Sequence, residues 1–461
     1  MGLPPACWSF LAAGIESGNP VVGVPHATPP ATARGKCVEC APVNETPTIE
    51  SPPLPPWRKL AWIGVLSFAS GMPFGIFKDL IPVWLRSEGV AIETIGSVAA
   101  LALPWSLKVF WAPLVDHFGG RRVWIAGCLL VLTATMMGFS VTPTTAGLAV
   151  GVLSTLLTFG SATQDIAVDA YTIGILDRGE EGPANAVRVA AYRAALLVAG
   201  GAAVALVAPF GWMVAFLALG MLFATLALAT LWVPPVDSSP ERRRESLWRG
   251  LLAWLRQPGA VTLALVILVY RWPDAALGPM VRTFWVDAGL SLAEIGALAI
   301  PITMGATVLG AALGGWYVGR VGILRGLFCL GLAASLSNLA YAAAALEGGS
   351  REWVLAAAAV ENICGGLGTA AFLSLLMRVC EKERAAVEYA LVSALFASTR
   401  DLTGAVSGFG VAWVGYAGWF GVTSLLAIPG LALLFSPKIA LRVGETPLGH
   451  AIMGRWFGSR S

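Results

Sequence analysis

Residues 93–104, ETIGSVAALALP, return two hundred positions later as residues 293–301, AEIGALAIP. That shift superposes Ile95-Gly96 on Ile295-Gly296, and in both stretches an acid stands just ahead of an apolar run. Two further echoes keep the same order along the chain. QDI at Gln164 answers ENI at Glu361, and Gly-Trp at Gly211 recurs at Gly418. Each echo is weak alone, but their shared order describes a chain built from two copies of one unit.

Composition says what the unit is made of. The 461 residues are 57% hydrophobic and 12% charged, with a mean hydropathy of +0.74. A soluble domain carries about 25% charged residues, and half that value leaves too little polar surface to cover a globule in water. The 18 Trp and 53 Gly agree, because membrane proteins use Trp at interfaces and Gly within spans. A hydrocarbon core of about 30 Å takes about 20 helical residues. Apolar runs between charged or turn-rich breaks give twelve candidate spans: 60–85, 94–116, 122–141, 146–174, 184–208, 211–233, 258–286, 292–318, 322–345, 352–378, 387–413 and 416–436. The expected fold is therefore an all-α membrane protein of twelve transmembrane helices.

Lys and Arg cluster in alternate loops. Arg58 and Lys59 precede the first span, Arg121 and Arg122 follow the second, and ERRRESLWRG (241–250) follows the sixth. Arg378, Lys382 and Arg384 follow the tenth, whereas VTPTT (141–145) and APFG (208–211) on the other side carry none. The positive-inside rule then predicts that both termini are cytoplasmic. The basic stretch 234–257 divides the chain into halves at 57–233 and 258–436, between a Pro-rich tail at 1–56 and a second tail at 437–461. The composition of the first tail predicts disorder. Parallel six-helix repeats related by an axis along the membrane normal are the plan of the major facilitator superfamily.

The seven Cys form no secreted disulfide framework, and Cys37 with Cys40 lacks the second ligand pair that a metal site needs. His26, His117 and His450 are scattered over tail and loops. With no H-E-x-x-H and no Walker loop, the expectation is a protein that is not an enzyme, carries no cofactor and is driven by an ion gradient.

Charges inside a bilayer cost at least a few kcal/mol and face a partner or a watery cavity. The interior set is large: Lys78, Asp79, Lys108, Asp165, Asp169, Arg193, Arg271, Asp274, Glu361, Arg400 and Asp401. A bundle can be held by small apolar residues alone, so cavity lining is the economical reading. At about 1.5 Å per residue, Asp169 lies roughly 12 Å and Asp165 roughly 18 Å inside the end of the fourth span. Lys108 and Arg193 reach the depth of Asp169, which predicts one cytoplasmic layer of neutralising charge or a gate. Asp116, at the end of the second span, opposes its helix dipole and needs Arg121, Arg122 or a neighbouring helix end. Asp165 and Gln164 are expected deeper, in a central cavity. In the second half Arg271, Asp274, Glu361, Arg400 and Asp401 fall at mid-depth, where the arginines meet either an anion or a local acid, as in an Arg271–Asp274 pair. Gly71 and Pro73 are expected to interrupt the first helix, Gly160 and Ser161 to disturb the fourth, and CGGLGTAAF (364–372) to give the tenth a flat packing face.

Five stretches together resemble a known family. SFASGMPFG (67–75), LPWSLKVFWAPLVD (103–116), ATQDIAVDAY (162–171), AYRAALLVAGG (191–201) and residues 361–400 are similar to the AmpG-type muropeptide permeases of the major facilitator superfamily, from about Leu60 to about Gly421. The resemblance implies an inner-membrane, proton-coupled importer of anhydromuropeptides (GlcNAc-anhydroMurNAc peptides) that serves peptidoglycan recycling; relatives include acetyl-CoA transporters. It covers Lys108, Asp116, Gln164, Asp165, Asp169, Arg193, Glu361 and Asn362. Arg271 and Arg400 become candidates for substrate carboxylates, with Asp274 and Asp401 beside them. Asp165 and Glu361 are candidates for proton coupling, and Gln164 and Asn362 for hydrogen bonds to sugar or peptide. The expected partners are that small molecule, protons and the bilayer, with no nucleic acid and a monomeric state. Transport of another anionic or amphipathic solute, or a non-transporting membrane sensor, is the alternative.

Overall fold

In the computed structural model the described residues are 55–117, 120–177, 180–235, 259–379, 385–446 and 448. The side chains of Asp116 and of residues 385–402, Arg400 and Asp401 among them, lie outside that description, as do almost all of the N-terminal tail and the basic linker. Every regular element among the described residues is a helix. In chain order these are α1 (Pro56–Ser87), α2 (Ile92–Leu107, continued by short turns to His117), α3 (Arg121–Val141), α4 (Gly147–Ile175), α5 (181–210) and α6 (212–232). The second half holds α7 (Ala260–Asp287), α8 (Leu292–Val321), α9 (Ile323–Leu346), α10 (Arg351–Val379), α11 (385–414) and α12 (416–433), and α13 (Pro437–Val443) closes it.

Two glycines turn long apolar runs into pairs of spans. Helix continues on both sides of Gly211 over Pro183–Trp232, 50 residues in all. At about 1.5 Å per residue a straight helix of that length would be roughly 75 Å long, more than twice the hydrocarbon core. Gly211 (φ 79°, ψ 169°) folds it back, and Gly415 (φ 72°, ψ 172°) does the same between α11 and α12. No side chain tolerates that backbone. The counterpart of Gly211 is thus Gly415, three residues before the Gly-Trp echo at Gly418.

The two-hundred-residue shift is present in backbone geometry. α1 ends with Gly89 at φ 78° and α7 with Gly289 at φ 82°. Gly89 N–H donates to Arg86 O (3.0 Å) and Val90 N–H to Leu85 O (2.9 Å); Gly289 donates to Val286 O (3.0 Å) and Leu290 to Trp285 O (3.1 Å). The same left-handed glycine cap closes both helices.

Lipid is as apolar as a leucine side chain, so helices associate through close packing of small residues. A methyl group added at Gly71 would lie 2.9 Å from Ala195 Cβ, and one at Gly366 would lie 2.9 Å from the Ala311 nitrogen. Gly366 belongs to the predicted flat face of α10, which packs on α8. Gly71 lets α1 pack closely against α5 and does not break α1; the irregularity comes just after Pro73, as a wide π-turn over Ile76–Leu80. α4 runs through Gly160 and Ser161 without a break.

The halves meet on the side that carries Gly89 and Gly289. There α2 crosses α11, with a Cβ at Gly96 placed 2.7 Å from Gly408 Cα, and α5 crosses α8, with a Cβ at Gly296 placed 2.8 Å from Ala205 Cα. The repeated Ile-Gly motif therefore marks two equivalent crossings between the halves.

Candidate functional site

A cavity lies between the halves, walled by α1 and α2 on one side and by α7, α8, α10 and α11 on the other. It encloses roughly 1340 Å³ of empty space, open solvent at its mouth included. Phe74, Phe77 and Trp105 supply broad apolar surface, and the charged and amide groups are Lys78, Arg271, Asp274, Arg282, Glu361 and Asn362.

Helix breaks deliver several of these groups. Pro273 has no N–H to continue the turn, and α7 is interrupted at Tyr270 and Arg271 before resuming at Trp272. Arg271 sits in that break, where its Nη2 lies 2.6 Å from Asp274 Oδ2 and donates to Thr369 Oγ1 at 3.0 Å. The local pairing left open by the sequence is present, and both members line the cavity. On α10, Asn362 Nδ2 donates to Glu361 Oε2 at 2.7 Å and to its own helix at Ala358 O, 2.8 Å away. Thr307 of α8 lies 3.2 Å from Asn362 Oδ1. Four expected site residues, Arg271, Asp274, Glu361 and Asn362, are thus brought to one cavity.

Sequence reasoning missed the pair at the other end. The π-turn of α1 carries Lys78 and Asp79. Asp79 Oδ1 accepts from Arg282 Nε at 2.9 Å and lies 2.7 Å from Arg282 Nη2, an ion pair between the halves in which Asp79 is fully buried. The guanidinium carbon stands 4.6 Å from the centre of the Trp285 ring. Asp79 Oδ2 has no hydrogen-bond partner and rests against Gly200 in the π-turn of α5, where an added Cβ would lie 3.0 Å from it. Arg282 reads as a boundary residue because Asp287 ends the helix five positions later. Its helical register with Arg271 was the available signal.

One turn beyond, Asp287 joins three helices. Arg86 Nε of α1 donates to Oδ1 at 2.5 Å and Tyr416 of α12 donates to Oδ2 at 2.6 Å. Arg86 also donates to Val90 O at 3.1 Å, which fixes it to the end of its own helix. With the Gly96 and Gly296 crossings, these contacts close the cavity on the Gly89 side.

The expected charge layer of Lys108, Asp169 and Arg193 is not what the structure shows. Lys108 pairs with Asp165 at 3.3 Å, and Ser70 of α1 donates to the same carboxylate. Asp169 pairs with Arg188 of α5. Arg193 reaches across the halves to α8, its Nη1 4.0 Å from Met304 Sδ. The depth arithmetic failed because α2 is not a regular helix around Lys108: Pro104 and Pro113 interrupt it with 3₁₀ turns, which changes both rise and direction. Asp165 and Gln164 accordingly leave the cavity. Trp105 and Trp111 donate to Ser161 and Thr163, each at 3.1 Å, flanking the Lys108–Asp165 pair. The three contacts tie α2 to α4 inside the first half. Gln164 is fully buried with neither amide atom hydrogen-bonded. The expectations for Asp116, Arg400 and Asp401 fall on side chains outside the described residues.

Known proteins place this architecture. A family model described as Major Facilitator Superfamily matches residues 63–271. The anhydromuropeptide permease of Escherichia coli K12 is 32% identical over 384 residues, which cover 80% of this chain and 78% of the permease. The chain belongs to the AmpG family of permeases. A putative transporter named AmpG 4 from Rickettsia conorii is 30% identical over 398 residues, covering 82% of this chain and 95% of that one. The solved nucleoside transporter NupG superposes with a TM-score of 0.66 at 14% identity, over 84% of this chain and 100% of its own, a likeness of fold. This AmpG-family chain is therefore a multi-pass membrane transporter of the major facilitator type, and the cavity lies between its two halves.

Proposed function

We propose that the chain is a proton-coupled importer of anhydromuropeptides that works by alternating access in the inner membrane and serves peptidoglycan recycling. The observation that carries this reading is the cavity itself: apolar walls of aromatic side chains, Arg271 and Asp274 in a helix break, and the Glu361–Asn362 pair opposite. Peptide carboxylates suit a guanidinium, which offers paired donors in a fork. Sugar faces suit Phe74, Phe77 and Trp105, and the amide of Asn362 suits sugar or peptide hydroxyl and carbonyl groups. The excess of Lys and Arg in the loops on the Pro56 side supports cytoplasmic termini. In that orientation the contacts at Arg86, Asp287 and Tyr416 seal the periplasmic side, and the state described is inward-facing.

Glu361 is the proposed proton carrier, since it is a carboxyl on the cavity wall within reach of cavity water. Asp165, the other candidate, is held between Lys108 and Ser70 away from that wall, and the reading gives it the task of joining helices. Glu361→Gln tests the assignment. The variant is expected to exchange labelled anhydromuropeptide across vesicle membranes at a rate near wild type, yet to lose accumulation driven by a pH gradient. Accumulation that survives the change would remove Glu361 from the coupling step.

A further inference from the structure

The ion pair with Asp79 ties Arg282 to the opposite half but does not account for its place on the cavity wall. We propose that Arg282 is a second anion-binding group of the cavity, held in place by Asp79, and that the cavity therefore takes an elongated ligand with a carboxylate toward each end. The inference rests on the reading of this cavity as the transport site.

Arg271 and Arg282 are eleven residues apart on α7. At 3.6 residues per turn they fall within about 20° of the same helix face, and the rise separates them by roughly 16 Å along the axis. Both line the cavity. Its lining carries three cations, Lys78, Arg271 and Arg282, against two acids, Asp274 and Glu361. Each arginine is aligned by an acid and by a second group: Arg271 by Asp274 and Thr369, Arg282 by Asp79 and the Trp285 ring. A guanidinium has five N–H donors, and Asp79 engages Arg282 through one carboxylate oxygen. Donors therefore remain for a ligand.

Asp79 acts as a positioning residue. It comes from the opposite half, is fully buried in the π-turn of α1, and has Gly200 of α5 at its back. A ligand spanning Arg271 and Arg282 would contact the second half directly and, through Asp79, pull on the first. With the guanidinium groups taken as far apart as their backbone positions, and about 3 Å allowed for a charge-assisted contact at each end, the carboxylates of a matching ligand stand roughly 10 Å apart. That is the length of about three extended residues.

The test uses the purified full-length protein in nanodiscs and peptides that are not muropeptides. Succinyl-capped oligoglycines carry a carboxylate at each end, and amidating the C-terminus removes one. Binding, read by competition against labelled anhydromuropeptide and independently by calorimetry, is expected to be best near two glycines, because the succinyl cap itself spans about one residue. Amidation should weaken it at least tenfold in the wild type. Arg282→Gln should abolish the amidation effect, Asp79→Asn should reduce it, and Asp79→Glu should restore part of it. Dianions and monoanions that bind alike, or an Arg282→Gln protein that still loses tenfold on amidation, would overturn the inference. Calorimetry that shows dianion binding while anhydromuropeptide does not bind would instead overturn the proposed substrate and leave the two-anion site standing.

Discussion

Adding one methyl group at Gly96 should open the transporter on the side that is closed here. The Cβ of Gly96→Ala would lie 2.7 Å from Gly408 Cα and 2.6 Å from its nitrogen. Carbon atoms prefer about 3.5–4.0 Å, so α2 and α11 must part by roughly 1 Å at their crossing. Overpacking of this kind costs about 1–3 kcal/mol. It is charged to the closed arrangement alone, because the contact is lost once the halves separate on that side. At tenfold per 1.4 kcal/mol, the ratio of closed to open forms falls by about 5- to 150-fold. Gly296→Ala, at the equivalent crossing of α8 with α5, is expected to act the same way. The readout is labelling of a cysteine placed at Leu85 in the cavity wall, with the seven native cysteines replaced, by a membrane-impermeant maleimide applied from the Gly89 side. Gly151→Ala is the control, since a Cβ there meets nothing within 4 Å. Labelling that stays at the wild-type rate in both Gly96→Ala and Gly296→Ala would refute the view that these crossings hold the cavity shut.

The joint between α2 and α4 predicts a coupled pair. Among the described residues Lys108→Met leaves Asp165 with Ser70 as donor at a site where both side chains of the pair are about 15% exposed, and it should cost about 3 kcal/mol, the low end for breaking a buried pair. Adding Asp165→Asn should recover most of that loss in thermal unfolding, and purely additive losses would dissolve the joint. At the end of α4, the Glu180 carboxyl is held below its ordinary range, first by the Asp177 N–H that donates to it at 3.0 Å and then by Lys59, also 3.0 Å away. A lowered value means that this contribution is present above the unfolded value of about 4.3 and is lost as pH falls through the folded one. The melting temperature of the wild type should therefore fall more steeply below pH 5 than that of Glu180→Gln, and parallel curves would contradict it.

Much of the fold was legible, because apolar runs and their interruptions are dictated by the bilayer. Eleven of the twelve expected spans coincide with a helix to within a few residues, including the two pairs that are joined through single glycines, while the second is broken into short helical pieces beyond Leu107. The repeat was legible as well: Ile95-Gly96 and Ile295-Gly296 are written twice because two equivalent crossings need a residue without a side chain. Partner choice was not legible. Depth counted along a regular helix put Lys108 beside Asp169, whereas the 3₁₀ turns around Pro104 and Pro113 bring it to Asp165. The Asp79–Arg282 pair was hidden for a related reason. Pairing across halves, 203 residues apart, leaves no local pattern, and Gly200, which lies against Asp79 in its π-turn, is likewise distant in sequence. Arg271 and Asp274 were readable because their partnership is local, three residues apart on one helix face.

The central claim is transport of an anhydromuropeptide driven by protons. The most direct measurement is accumulation of radiolabelled anhydromuropeptide by proteoliposomes that contain the purified protein, with an inward-directed proton gradient imposed across them. The account predicts uptake above the external concentration, collapse of that uptake when a protonophore is added, and loss of it in Arg271→Gln. Uptake that only equilibrates, indifferent to the gradient, would contradict the coupling, and no uptake of the compound at all would contradict the substrate.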